Sequence, residues 1–208
     1  MIFYLCVIIF SVLIHEFGHL ITALYFKVNV KAFSLGFGPV ILHKKWKNID
    51  WRLSLLPFGG YCDIEESIKI KNSLSNIAYW KQVIILMAGV FLNFMLAVIC
   101  YLIQYKSISR GIIIDLMILK PMIIKDYYYV ALLLETVKAN IYLTQISFLN
   151  LFLCITNLLP IPALDGGYLW MLPMRRMIGE KLFKIIVYTS FAILMIGQFI
   201  IIYYWWIL

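Results

Sequence analysis

Charged side chains are scarce in this sequence: they make up 13%, against about 25% in ordinary soluble domains, while hydrophobic residues reach 64%. That imbalance excludes an ordinary soluble domain and a disordered chain, and it describes an integral membrane protein. Histidine is scarcer still, with three residues among 208. Cys6, Cys62, Cys100 and Cys154 lie far apart and none forms C-x-x-C, so neither a disulfide framework nor a cysteine metal knot is expected. They read as small apolar fillers. There is no Gly/Ser linker, low-complexity tract or fixed-period repeat. Residues 1–208 therefore read as a single membrane-embedded domain, an all-α polytopic protein with a small β-hairpin region. The net charge of +8 is not gathered into a basic tract with stacking aromatics. No nucleic-acid partner is expected; the lipid bilayer accounts for the basic residues through anchoring and topology.

What the chain has in abundance is long apolar runs. Four are expected to span: 1–26, 83–103, 141–164 and 185–208, each near the roughly 20 residues that cross a ~30 Å hydrocarbon core. The leading run lacks a basic n-region and an A-x-A-like cleavage site, and so reads as a retained span. Tyr203-Tyr204-Trp205-Trp206 suits an interfacial aromatic belt. The first and third connections hold thirteen Lys/Arg and the second holds five. The positive-inside rule then puts the first and third connections in the cytoplasm and both termini outside. Lys31–Leu42 and Ile49–Ile64, punctuated by Gly36, Gly38-Pro39 and Gly59-Gly60, read as hairpins about residues 31–64, lying against or dipping into the membrane. A purely structural cytoplasmic hairpin is the alternative. Lys69–Lys81 reads as amphipathic or interfacial, and residues 127–138 as a surface helix in a short outer connection.

Against that background three ionisable groups in five residues stand out. His15-Glu16-Phe17-Gly18-His19 lies inside the first span, where such groups are costly and by default functional. Helical spacing puts both imidazoles on one face, and two His at i, i+4 with the adjacent Glu form H-E-x-x-H: two zinc ligands and a general base. Zinc needs a third protein ligand and an open fourth position. Most other carboxylates sit in connections; Asp165 alone ends an apolar run, between Pro160-Ile161-Pro162 and Gly166-Gly167. It is the candidate third ligand, with an N-cap as the alternative. Those prolines and glycines are expected to break the helix and let backbone approach the metal. Both the first and third spans run inward, which puts His15, His19 and Asp165 on the cytoplasmic side.

The same residues resemble a known family. His15-Glu16-Phe17-Gly18-His19 and Asn157-Leu158-Leu159-Pro160-Ile161-Pro162-Ala163-Leu164-Asp165-Gly166-Gly167 are similar to the two signature motifs of the site-2 proteases, intramembrane zinc metalloproteases. Gly36-Phe37-Gly38-Pro39, Leu56-Pro57-Phe58-Gly59-Gly60-Tyr61 and Ala88-Gly89-Val90-Phe91-Leu92-Asn93-Phe94 resemble its RseP-like branch. The resemblance implies His15, His19 and Asp165 as zinc ligands and Glu16 as general base. It implies Asn157 as a contact to substrate backbone, and through the hairpin region Gly59 and Gly60 as substrate-binding. Asn93 reads as a buried amide bonded across helices. Residues 104–140 are too short for the PDZ domains usual in that branch, and Val90 replaces the family's proline, so a minimal form is expected.

The expected function is zinc endopeptidase cleavage of transmembrane segments of membrane proteins or peptides, in a bacterial cytoplasmic membrane. A metal-transport protein and an inactive scaffold that binds transmembrane segments are the alternatives. The sequence leaves the substrate and the oligomeric state open.

Overall fold

The leading apolar run folds as α1 (Ile2–Tyr25) and the second as α2 (Tyr79–Tyr105). The structure, a computed structural model, describes residues 2–123, 126–136 and 139–207. Among them, two helices are long and apolar enough to cross a membrane, over Leu5–Tyr25 and Tyr79–Tyr105. The third run is shorter than expected: α5 covers Ile141–Asn157 and stops 17 residues on, below the roughly 20 of a full crossing. The chain leaves the helix at Leu158 ahead of Pro160 and Pro162, which cannot continue it. It re-enters helix as α6 (Asp165–Ile178), and Gly179, at φ +80°, separates this from α7 (Glu180–Ile207). The expected belt of Tyr203–Trp206 falls on side chains outside those described, as do Met1, Leu208 and the Lys138 end of the 127–138 helix.

The connection between α2 and α5 holds more structure than the sequence suggests. α3 (Ile108–Ile123) precedes α4 (Tyr127–Thr136), the element read as a surface helix. Arg110, Asp115 and Lys120 interrupt the apolar run of α3, yet Asp115 is only 2% exposed and accepts a 2.6 Å hydrogen bond from the Tyr101 hydroxyl of α2. Ala97, Tyr101, Ile114, Ile118 and Leu134 pack as one cluster around that bond. Residues 69–81 differ in the opposite sense: they are irregular apart from a single 3-10 turn at Leu74–Asn76 until α2 begins.

α2 packs between α1 and α5. The α1–α2 contact needs a bare backbone, since a Cβ on Gly18 would sit 2.7 Å from the carbonyl carbon and oxygen of Ala88. Across α1 and α5, the buried Asn150 amide donates to the Ser11 hydroxyl at 2.9 Å, a bond that an apolar surround favours.

β1 (Val30–Trp46) and β2 (Ile49–Ile64) form an antiparallel hairpin joined by Lys47 and Asn48 in left-handed conformation. The hairpin then folds over on itself. Gly36 and Gly38 take φ of +87° and +84° and bend β1, so that Phe33 pairs on one side with Cys62 and on the other with Trp51. Leu35 likewise pairs with both Gly60 and Leu53. The result is a small sheet whose segments lie in the order 42–46, 50–53, 32–35 and 60–63. One outer edge, Gly60–Ile64, faces α1; Val40, Ile41, Leu42, Trp46, Leu55 and Leu56 remain exposed.

Because the group opposite Gly18 is backbone, no rotamer change can make room. Gly18→Ala should lower stability by about 1–3 kcal/mol through overpacking. A thermal melt of the purified protein in detergent measures this, and an unchanged midpoint would contradict the close contact.

Candidate metal centre

One helical turn separates His15 from His19, and both rings point from α1 toward α2, where both are buried. Gly89 of α2 makes the space, because a Cβ there would lie 2.6 Å from His19 Nε2 and 2.8 Å from His15 Nε2. Asp165, the first residue of α6, meets them from the other side. Its Oδ2 lies 3.0 Å from His15 Nε2 and 3.4 Å from His19 Nε2, and the two Nε2 atoms are 3.1 Å apart. Tetrahedral bonds of about 2.0–2.1 Å to a common ion would place donors roughly 3.3–3.4 Å from one another. The observed triangle is close to that requirement.

The outer nitrogens decide what faces the centre. His19 Nδ1 is 2.8 Å from the Ile85 carbonyl oxygen, which can only accept, so Nδ1 carries the proton and Nε2 presents a lone pair. His15 Nδ1 is 3.3 Å from the Asn93 amide nitrogen, and the buried Asn93 Oδ1 has no hydrogen-bond partner as placed. The amide orientation that satisfies both groups has Oδ1 accepting from His15 Nδ1–H, which again leaves Nε2 free. Asp165 Oδ2, also buried, receives no hydrogen bond. Three electron-pair donors then converge with no proton between them, and a cation resolves that. Two imidazoles and one carboxylate suit zinc, with a position open for water. Among the described residues this is the one group of three side chains so placed.

Glu16 projects away from the triangle toward the sheet. Its Oε2 accepts a 2.9 Å hydrogen bond from the Cys62 backbone N–H on the outer edge of β2. A cavity of about 310 Å³ lies here, lined by Glu16, His19, Gly60, Cys62, Asp165 and Tyr168 among others. Gly60 thus borders the cavity. Gly59 is buried and packs flat on the Phe37 ring. Asn157 closes α5, half-buried and outside the lining of that cavity. Gly166 and Gly167 sit against the backbone of Leu158 and Ile161, so their bareness serves the α5–α6 turn and not, as expected, a backbone approach to metal.

A second cluster was not singled out from the sequence. Glu66 follows β2 and accepts from the Tyr168 hydroxyl at 2.7 Å and from the Arg175 guanidinium at 3.1 Å. Arg175 is 1% exposed, also donates to Ser75 Oγ at 3.1 Å, and stacks over the Phe183 ring at 4.6 Å. Asp165, Tyr168 and Arg175 lie three and ten positions along one face of α6, so the helix that delivers the third donor is tied to the end of the sheet. Burial holds the Glu66 carboxyl above its usual range against the pull of Tyr168 and Arg175. In the sequence, Arg175-Arg176 reads only as topology-setting charge.

The comparisons with known proteins converge on one family. Its model, "Peptidase family M50", matches residues 3–197. A Chlamydia pneumoniae protein named "Putative zinc metalloprotease" is 36% identical over 115 residues, covering 48% of this chain and 18% of that protein. A Fusobacterium nucleatum protein of the same name is 34% identical over 102 residues, covering 48% of this chain and 30% of its own. A third, from Treponema pallidum, is 50% identical over 54 residues, 26% of this chain and 12% of the relative. The chain thus matches less than a third of the length of each of these relatives. Since the family match runs over nearly the whole sequence, the chain belongs to peptidase family M50, the site-2 protease family.

Proposed function

We propose that the chain is a zinc endopeptidase that hydrolyses a peptide bond in or near a transmembrane segment of a membrane protein or peptide. The observation that carries this reading is the convergence of His15 Nε2, His19 Nε2 and Asp165 Oδ2 within 3.4 Å, beside Glu16 and inside apolar helices. These three side chains would hold the metal. Zinc bound there supplies Lewis acidity, lowering the pKa of water toward about 7 and polarising a carbonyl. Glu16 acts as general base, taking a proton from water in the 310 Å³ cavity and returning it to the leaving amine. Asn93 and the Ile85 carbonyl hold the imidazoles in the tautomer and orientation that ligation requires.

The substrate must present an extended backbone, because a helix hides its carbonyls in i→i−4 bonds. The outer edge of β2 at Gly60–Ile64 borders the cavity, and a substrate strand could add to it where the Cys62 N–H now meets Glu16. Asn157 contributes a further hydrogen bond to substrate backbone as the substrate strand enters. The chain sits in a bacterial cytoplasmic membrane with four spans, α1, α2, α5 with the turn after it, and α7. Both termini face outward, and the metal centre lies toward the cytoplasm. A transport protein would need further ligand clusters along a path, and the described residues offer the one group.

Glu16→Gln should lower cleavage of a single-span substrate about 10²–10⁴-fold while zinc content of the purified protein stays unchanged. Loss of zinc in that variant would sink the general-base role. His15→Ala and Asp165→Asn should each bring metal content, measured by elemental analysis, well below one ion per chain; full occupancy in either would remove that residue from the ligand set. Asn93→Leu should weaken zinc binding about 10–100-fold in a chelator competition, as expected for a residue that orients a ligand.

A further inference from the structure

Glu66 and Tyr168 form a wall shared by two cavities. On one side is the 310 Å³ space beside Glu16. On the other is a larger chamber of about 490 Å³, also bordered by Ile64 at the end of the β2 edge. Its inner surface carries Asp63, Glu65, Glu66 and Arg175, and its mouth carries Lys31, Glu180, Lys184 and Tyr188. Four carboxylates therefore meet three cations.

Most of these charges are already committed. Glu65 pairs with Lys31 at 3.2 Å, and Glu66 with Arg175 at 3.1 Å. Glu180 accepts from the Ile68 backbone N–H at 2.9 Å and lies 4.0 Å from Arg175. Asp63 is the exception: its half-buried carboxylate has no ion pair or side-chain hydrogen bond among the described residues. Burial pushes its carboxyl above the usual range. Lys31 and Arg52 pull the other way without pairing with it, and a cation in direct contact would stabilise the carboxylate further.

Its place along the chain says which cation. Asp63 is the residue after Cys62, whose N–H meets Glu16, on the strand edge that borders both cavities. α1 and β2 fix the direction: Gly60 lies near Val12 and Glu16, whereas Ile64 packs with Leu20, Ala23 and Leu74 toward the far end of α1. A chain laid along this edge passes Glu16 and then enters the charged chamber. On the topology proposed above, that direction leads to the cytoplasm, where the flanks of transmembrane segments are rich in Lys and Arg.

We infer that the chamber behind Glu66 is a specificity subsite for the basic juxtamembrane flank of a transmembrane substrate, and that Asp63 receives a Lys or Arg of that flank. The inference rests on the peptidase reading and adds to it the charge of the segment recognised. Lys31 is offset by Glu65 and Lys184 lies one turn from Glu180 on α7, so the lining keeps an excess of negative charge that favours a basic flank over an acidic one.

The test uses the full chain carrying Glu16→Gln, in detergent, with synthetic single-span peptides whose inner flank is a short run of Lys, of Ser or of Glu. Binding of the Lys-flanked peptide should be about tenfold tighter than that of the Ser-flanked one, the Glu-flanked peptide being weakest. Asp63→Asn should bring the Lys-to-Ser ratio to about one to two, and Asp63→Lys should turn the preference toward Glu. A photo-crosslinking residue in place of Tyr188 should capture the flank and not the apolar part of the peptide. Equal binding of the three peptides, or a ratio untouched by Asp63→Asn, would overturn the subsite. Cleavage of the same peptides by the chain with Glu16 intact separates the two readings. Cleavage without flank preference removes the subsite and leaves the peptidase, whereas neither cleavage nor binding of any peptide removes both.

Discussion

The closeness of α1 and α2 is the constraint on which the metal centre depends. Two helices normally stand 8–10 Å apart, kept there by side chains. Here glycine faces backbone at Gly18 and glycine faces two imidazole rings at Gly89, so the helices press together where one of them carries histidines. That approach puts the Ile85 carbonyl and the Asn93 amide within hydrogen-bonding distance of the outer ring nitrogens. The inner nitrogens are then both bare and correctly aimed. In an apolar setting such groups cannot fall back on water, so the donors must be satisfied by neighbours or by a cation.

The third donor is secured by different means. Asp165 begins a helix that follows two prolines, and it depends on how that helix is docked. Packing alone does not fix it: Tyr168 and Arg175, on the same face, reach Glu66 at the end of the sheet. An interior arginine with its partners is expensive to assemble and more expensive to leave half-assembled, which favours one docking geometry over its neighbours. The sheet in turn touches α1 through the Cys62 N–H and Glu16. The ligand helices and the hairpin therefore form a closed circuit of polar contacts around the cavity.

Much of this was legible in the sequence, and what was not has common causes. His15, Glu16, His19 and Asp165 announce themselves because charge is rare among apolar residues, and the structure lines one cavity with Glu16, His19 and Asp165 and sets His15 3.0 Å from Asp165. The prolines after Leu159 mark a helix end, though the end comes several residues sooner, at Asn157. α3 was hidden because Asp115, Arg110 and Lys120 interrupt its hydrophobic period; only the Tyr101 hydroxyl, fourteen positions away, makes a buried Asp115 tolerable. Arg175 was hidden in the same way, since its burial depends on residues a hundred positions distant. Gly36 and Gly38 were visible as punctuation, but a doubling-over of the hairpin is a tertiary event that local sequence does not encode.

That doubled hairpin has a mechanical side. Phe33 and Leu35 are paired to both halves of β2, so the sheet has no internal hinge between its exposed apolar loop and the edge beside Glu16. The loop carries Ile41, Leu42, Leu55 and Leu56 at its surface, while the opposite margin borders the cavity beside Glu16. The double pairing therefore ties the position of the exposed apolar loop to that of the strand edge that holds Glu16.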